Sequence, residues 1–343
     1  MHIPVTGGRP RSRRDILFFG AALGSTALLS ACGGDTTGPT ATSTAGTAGT
    51  AAGAFPVTIR DTFGTVTIPK APSRILSLGR TDHDVLLALG IVPIGVFQFT
   101  EEMKRGVGVW AESKLGTVTP EFFSPPFDYE QVGRLHPDLI LDVQSRGDKD
   151  EYKSLTAFAP TVGLPPDRDP NSVPWQQSTD VISTAVGRET DGAALVSRTE
   201  ALLKKAAADN PTFAGRTVTI LLAWEGEVAV YSSADTRTQV VTALGLTPSK
   251  YVTSLGTEEA FVSLSAERMA DADADVVIVL SQQGLPKEKT LAEYPQIARM
   301  AAVTENRAVF PDNNTGLALS FASVLSIPYA IKALVPQIGD ALR

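Results

Sequence analysis

The distribution of apolar and polar positions divides the chain into distinct stretches. From Ile16 to Leu29 the side chains are largely apolar, residues 33 to 54 hold no large apolar side chain, and from Phe55 onward short apolar runs alternate with stretches of helical period. In that last region "VTIRDTFGTVTI" predicts a hairpin turning at Phe63-Gly64, "RILSL" a buried strand, and "DHDVLLALG" a helix stopped by Gly90. "IVPIGVF" reads as the next strand, and "DYEQVGRLHPDLILDV" as a helix, a break at Pro137 and a strand. "EYKSLTAFAP" and "TVGL" repeat the helix and strand. Residues 177 to 208 keep helical period, with a break near Gly187. After Pro211 the alternation resumes through "TVTILLAW", "TRTQVVTALGL", "AERMADADADVVIVL" and "AVFPD" to a final helical region. Strands alternating with helices predict an α/β fold with parallel strands.

Two stretches recur in the same order. "LLALGIVP" (Leu86 to Pro93) is echoed by "VTALGLTP" (Val241 to Pro248), and "YEQVGRLHPDLIL" by "AERMADADADVVIV". In the second pair a glutamate stands eight residues before an aspartate that opens an apolar strand, Glu130 before Asp138 and Glu267 before Asp275. This predicts two similarly built, Rossmann-like α/β lobes, residues 55–173 and 210–343, joined by a long helix over 174–209. Ligands of open α/β sheets sit beyond the carboxyl ends of the strands, and clefts between lobes favour pockets.

The N-terminal region places this body outside the cell. The apolar run is shorter than the roughly 20 residues that span a bilayer, follows a basic stretch, and has the dimensions of a signal-peptide core. Leu29-Ser30-Ala31 then precede Cys32, the only cysteine of the chain. This resembles the lipobox of bacterial lipoproteins, with residues 1–31 removed and a lipid carried on Cys32. Ser12-Arg13-Arg14-Asp15-Ile16-Leu17 also resembles a twin-arginine signal. Residues 32–54, rich in Gly, Ala, Ser and Thr, read as a flexible tether. The formal charge of the whole chain is −7; the leader's four arginines and one aspartate remove +3, leaving −10. That balance argues against a nucleic-acid partner, whose phosphates demand a basic face. Exported, tethered and bilobal, with no G-x-S-x-G, P-loop or H-E-x-x-H motif, the chain reads as a ligand-capturing protein and not an enzyme; an exported hydrolase is the remote alternative.

The motifs "PSRILSLGRTDHDVLLALGIVPIGV", "DYEQVGRLHPDLIL", "AFAPTV", "ALGLTP" and "VSLSAERMADADADVVIV", in this order from Phe55 to Arg343, resemble the iron-siderophore and vitamin B12 class of ABC-transporter substrate-binding proteins. The resemblance implies two α/β lobes joined by one long helix, a ligand cleft between them and small hinge motion. It implies a monomer whose partners are an ABC permease with its ATPase, the membrane through the lipid anchor, and a small-molecule iron chelate. It also implies docking on the permease through one surface glutamate per lobe, here Glu130 and Glu267. A glutamate at either position would also favour a helix N-terminus through the macrodipole.

Residues just after strands are the candidates for the cleft: Arg80, Phe97, Arg146, Trp224, Tyr231, Arg237, Gln282 and Asn313, with Phe99 beside them. Arginine suits anionic oxygens, and Trp and Tyr supply flat apolar walls with a polar edge. In the family, positions matching Arg146, Trp224 and Tyr231 often line the cleft. The expected ligand is a ferric siderophore, with haem or cobalamin as the alternative, and no cofactor or resident metal is expected. Transition-metal sites gather several His and carboxylates at one point, whereas Asp82, His83 and Asp84, consecutive on a helix, cannot all face one ion. Trp110 falls in a loop to which no role is assigned.

Overall fold

The structure, a computed structural model, describes residues 53–343 apart from residues 171, 257, 258, 282 and 283. The leader, Cys32, the tether up to residue 52 and Gln282 lie outside the described residues. Gly53, assigned to the tether by the sequence, packs on the folded body: its amide donates to the Gly187 carbonyl at 2.8 Å. An antiparallel hairpin follows, β1 (Val57–Asp61) and β2 (Gly64–Ile68). Its alternating apolar positions turn Val57, Ile59, Val66 and Ile68 inward. Asp61 accepts from the Phe63 and Gly64 amides to close the turn, and from Gly163 to moor the hairpin to the first lobe.

That lobe runs β3 (Ile75–Ser77), α1 (Asp82–Ala88), β4 (Gly95–Phe97), β5 (Glu121–Phe123), α2 (Tyr129–Arg134), β6 (Leu139–Leu141), α3 (Lys149–Leu155) and β7 (Thr161–Val162). Its sheet is parallel throughout, in the order β5-β4-β3-β6-β7. Both faces are covered, so Leu139, Ile140 and Leu141 are each 0% exposed. Burying each such side chain contributes roughly 1.5–3 kcal/mol. The chain leaves β3 first to one side and later to the other, so the crevice beyond the carboxyl ends of β3 and β6 is the switch point where ligands bind in such sheets.

Residues 174–209 form not one helix but two, α4 (Trp175–Ala185) and α5 (Glu189–Asp209). Gly187 between them adopts φ +66, a backbone state that breaks the helix and that glycine adopts without strain. α4 packs on α1 and β1, whereas α5 packs on the C-terminal helix. One contiguous apolar core passes from the hairpin through Trp175, Ile182 and Leu203 into the second lobe.

The second lobe runs β8 (Thr217–Trp224), β9 (Glu227–Tyr231), α6 (Thr236–Thr242), β10 (Thr247–Pro248), α7 (Lys250–Ser254), β11 (Phe261–Ser263) and β12 (Val276–Ser281). Short helices α8 (Lys287–Glu293), α9 (Pro295–Ala298) and α10 (Ala301–Thr304) lead to β13 (Ala308–Val309), α11 (Asn313–Phe321) and α12 (Ser326–Ala341). The main order is β11-β9-β8-β12-β13, with β10 also on β8. The expectation of parallel strands fails on one side. β9 runs antiparallel to both its neighbours, β8 and β11, because β8 turns straight into it through Glu225 (φ 47) and Gly226 (φ 82). Two positive-φ residues make the tight hairpin turn that matches strand twist, and a turn so short permits only antiparallel pairing.

The sequence echo has a structural cause. The Asp138 carboxylate accepts from the Ser73 and Arg74 amides just before β3, and Asp275 accepts from the Thr217 amide and hydroxyl at the start of β8. In each lobe an aspartate at the foot of one central strand fixes the start of its parallel neighbour. Partial burial opposes ionisation of Asp138, but the Ser73 and Arg74 amides hold its carboxyl below the usual range. The second echoed segment opens with a 3-10 turn over Ala266–Ala272 where a helix was expected.

Candidate functional site

Five of the expected residues border one cavity of about 290 Å³ between the lobes: Arg80, Trp224, Tyr231, Arg237 and Asn313. Arg80 comes from the turn after β3 and Trp224 from the end of β8, where the hairpin turn fixes it at the rim. Tyr231 ends β9, Arg237 lies in the first turn of α6 and Asn313 opens α11. Phe97 and Arg146 border a separate chamber of about 120 Å³ that shares Arg80 and Phe99 with the first. Arg146 is exposed. Glu130 and Glu267 are exposed and border none of these spaces.

The cavity walls are aromatic. The Trp224 and Phe261 rings meet edge to face at 5.9 Å, and Phe261 meets Tyr231 at 6.1 Å. Opposite them Phe99 of the first lobe meets Phe321 of the second at 5.3 Å. Phe261 and Phe321 are not among the residues the sequence pointed to. Phe261 pairs directly with Tyr231 in the β11–β9 register, so its place in the wall follows from strand pairing. Phe321 closes α11, and no periodicity marks it in the sequence.

The two cationic side chains differ in their surroundings. The Arg237 guanidinium pairs with Asp235 at 2.8 Å, donates to Ser320 at 3.1 Å and lies 4.1 Å over the Tyr231 ring. Burial opposes its charge, but Asp235 holds it firmly protonated. Asp235 also caps α6 by accepting from the Arg237 amide. Arg80 is anchored only through its backbone, whose amide donates to the Gln144 carbonyl at 2.9 Å. Its guanidinium lies 5.9 Å from the Phe99 ring, and its Nε has neither exposed surface nor a hydrogen-bond partner. Burial and then repulsion from Arg237 push its pKa down to about 10, against the opposing pull of the Asp235 charge.

Among the described residues, two hydrogen-bonded contacts also bridge the lobes. At the rim, Asn313 Nδ2 donates to Glu102 at 2.6 Å. In the interior Asp84 accepts from Trp110 Nε1 at 2.8 Å and from the Ser323 hydroxyl. Trp110 thereby gains a role, its ring packed on Phe321 at 5.4 Å and Tyr329 at 6.0 Å. Asp82 instead turns to the Val143 and Gln144 amides, so the consecutive acids Asp82 and Asp84 face different partners. Among the described residues no group of His, Cys, Asp and Glu is placed to hold a metal ion.

With this geometry in place, comparison with known proteins decides the family. A family profile described as periplasmic binding protein matches residues 75–315, most of the chain. The chain belongs to the periplasmic binding protein family. A crystal structure of a periplasmic solute binding protein from Mycobacterium smegmatis superposes with a TM-score of 0.74 at 29% identity, covering 84% of this chain and 99% of that one. The iron-uptake protein PiaA of Streptococcus pneumoniae, solved with ferrichrome, gives 0.72 at 27% identity over 83% of this chain and 98% of that one. The Escherichia coli Fe(3+) dicitrate-binding protein FecB is 30% identical over 40% of this chain, and the match spans 45% of FecB, less than half its length. A probable siderophore-binding lipoprotein of Bacillus subtilis, YfiY, is 26% identical over 64% of this chain and 67% of its own.

This periplasmic binding protein is therefore a two-lobed binder and not an enzyme, and its buried acids serve the architecture. Asp142 is 2% exposed and borders the small chamber. Burial, with the neighbouring Asp82 and Glu151 charges, pushes its carboxyl well above the ordinary range against the pull of Ser145. Burial likewise pushes Asp82 up to about 7, against its two amide partners. A carboxyl whose folded pKa is raised contributes stability that is complete below its unfolded pKa of about 4 and disappears as pH rises through the folded value. Asp142→Asn removes this titration and keeps the shape. Thermal unfolding should show the variant melting above wild type at pH 8, with the gap closing as pH falls towards 4. A gap independent of pH would contradict the assignment.

Proposed function

We propose that the protein is the extracytoplasmic, lipid-anchored receptor of an ABC importer, which captures a ferric siderophore between its lobes and delivers it to the permease. The observation that carries this reading is the cavity itself. Aromatic walls from both lobes enclose two guanidinium groups, complementary to an iron chelate with an apolar periphery around polar or charged iron-ligating oxygens. At about 290 Å³ the cavity stands near the lower end of the roughly 300–1,000 Å³ of small-molecule sites, and the adjoining chamber of about 120 Å³ extends it. The relatives support the ligand class. One is described as binding Fe(3+) dicitrate, one as a probable siderophore-binding lipoprotein, and one was solved with ferrichrome.

In this reading Trp224, Tyr231, Arg80 and Arg237 hold the chelate, with Asn313 at the rim. Phe97 and Arg146 meet whatever part of the ligand enters the smaller chamber. Glu130 and Glu267, exposed and outside the cleft, contact the permease.

Trp224→Ala should weaken ferric-siderophore binding by about 2 kcal/mol or more, roughly thirtyfold, as loss of a central aromatic anchor does. Fluorescence titration of the full chain with ferric complexes, haem and cobalamin measures this. Tight haem or cobalamin binding without ferric-siderophore binding would leave the receptor role and overturn the ligand.

Cys32→Ala should release the protein from the membrane fraction, because the anchoring acyl chains are lost. A variant that still sediments with membranes would contradict lipidation there.

Glu130→Arg combined with Glu267→Arg should stop uptake through the cognate permease while leaving the ligand Kd within about twofold, since interface charges act through the partner they face. Loss of ligand binding in solution would show that these residues serve the cleft or the fold.

A further inference from the structure

Three spaces open around the cleft, with volumes of about 290, 520 and 120 Å³, and among the described residues Arg80 borders all three. Whatever occupies the cleft therefore meets this side chain. No carboxylate lies within ion-pair distance of it among the described residues.

The nearby acids are all committed elsewhere. Asp235 is held by Arg237 and by the first turn of α6, and its field offsets only part of the cost at Arg80. Asp312 accepts from the Thr315 amide and hydroxyl. Glu102 accepts from Asn313. Burial holds Asp142 towards its neutral form, and burial with the Asp148 charge raises Glu151 against the pull of Arg146. Asp167 and Asp169, on the far side of the largest space, face solvent. The Phe99 ring offers only its weak quadrupole.

A half-buried guanidinium with its Nε sealed from water and no carboxylate in ion-pair contact is a cost carried by the unliganded fold. Its pKa, lowered to about 10, still leaves it charged at neutral pH. A ligand relieves that cost only by supplying negative charge. A net-neutral chelate offers hydrogen-bond-accepting, locally anionic oxygens but brings no net charge to balance the guanidinium.

We propose that Arg80 is the charge-selecting residue of the cleft, and that the physiological ligand is a net-anionic ferric chelate, of carboxylate or catecholate type, with one anionic oxygen on the Arg80 guanidinium. This rests on the reading of the cleft as a ferric-chelate site. The relatives do not decide it, because they are named for ferric dicitrate, which bears carboxylates, and for ferrichrome, a neutral trihydroxamate.

The test titrates the full chain with ferric citrate and a ferric tricatecholate as anionic probes and with ferrichrome as the neutral one, in wild type, Arg80→Gln and Arg80→Lys. Wild type should prefer at least one anionic complex over ferrichrome by about tenfold or more, the scale of a charge-assisted hydrogen bond. Arg80→Gln should remove that preference, losing about tenfold to a hundredfold on the anionic complex and under about threefold on ferrichrome. Arg80→Lys should keep part of it.

The second readout needs no ligand. Because the bare charge burdens the empty fold, Arg80→Gln should raise the Tm of the ligand-free protein, whereas loss of a merely structural arginine would lower it. Wild-type preference for ferrichrome, an equal loss on all complexes, or a lowered Tm would each overturn the inference while the ferric-chelate function stood. Binding of no ferric complex by wild type would overturn that function, and this inference with it.

Discussion

The cleft depends on the Asp82 carboxylate. It has no exposed surface, and its two oxygens accept from the Val143 and Gln144 amides at 2.7 and 3.1 Å. Those bonds tie the turn after β3 to the turn after β6 across the point where the sheet order reverses. Arg80 leaves the first turn, and Ser145 and Arg146 leave the second. Gly79 leaves the space this needs, since any side chain there would collide with the Asp82 carboxylate. A carboxylate so buried is costly unless its oxygens are bonded. The amides supply those bonds only when both turns are in place, so the group enforces the geometry of the whole first-lobe wall.

Much of the architecture was legible in the sequence, and the structure shows why. The repeated Glu–Asp spacing marks a repeated function, since Asp138 and Asp275 each fix the start of a neighbouring strand. Such a bond needs one residue type at one strand position, so it leaves a signature in a single sequence. Trp224 and Tyr231 were visible because they end apolar runs. Phe261 and Phe321 were not, because their place in the wall depends on pairing with β9 and on the packing of α11 against Trp110. The antiparallel turn of β9 escaped the pattern for a related reason. "EG" after "TILLAW" signals a turn only once both residues are known to adopt positive φ. Charge was the least legible property. In the sequence Arg80, Arg146 and Arg237 are alike, and only the fold pairs one with Asp235, turns another to solvent and leaves the third without an ion pair among the described residues.

The interior joint between the lobes constrains their motion. Asp84 receives Trp110 from its own lobe and Ser323 from the other, deep below the rim contact of Glu102 with Asn313. Burial raises its carboxyl, with His83 and the two donors opposing, and His83 lies 3.6 Å away with neither ring nitrogen bonded. Breaking this joint would strand several buried polar groups at once, whereas the rim contact is exposed and separates at little cost. Opening is therefore expected at the rim, about an axis near Asp84. The apolar core that continues from one lobe to the other limits its extent.

That stiffness bears on how the cleft selects its ligand. A loose pair of lobes would let Arg80 rotate to solvent whenever the cleft stood empty, and its burden would vanish with the motion. Here its backbone is tied to Gln144, its Nε is sealed, and Phe99, which covers it, packs on Phe321 of the opposite lobe. The second lobe pairs its own cation with Asp235, while the first leaves one without an ion-pair partner in the same space. Because the fold holds this asymmetry before any ligand arrives, the discrimination belongs to the ground state of the receptor and does not have to be created by closure.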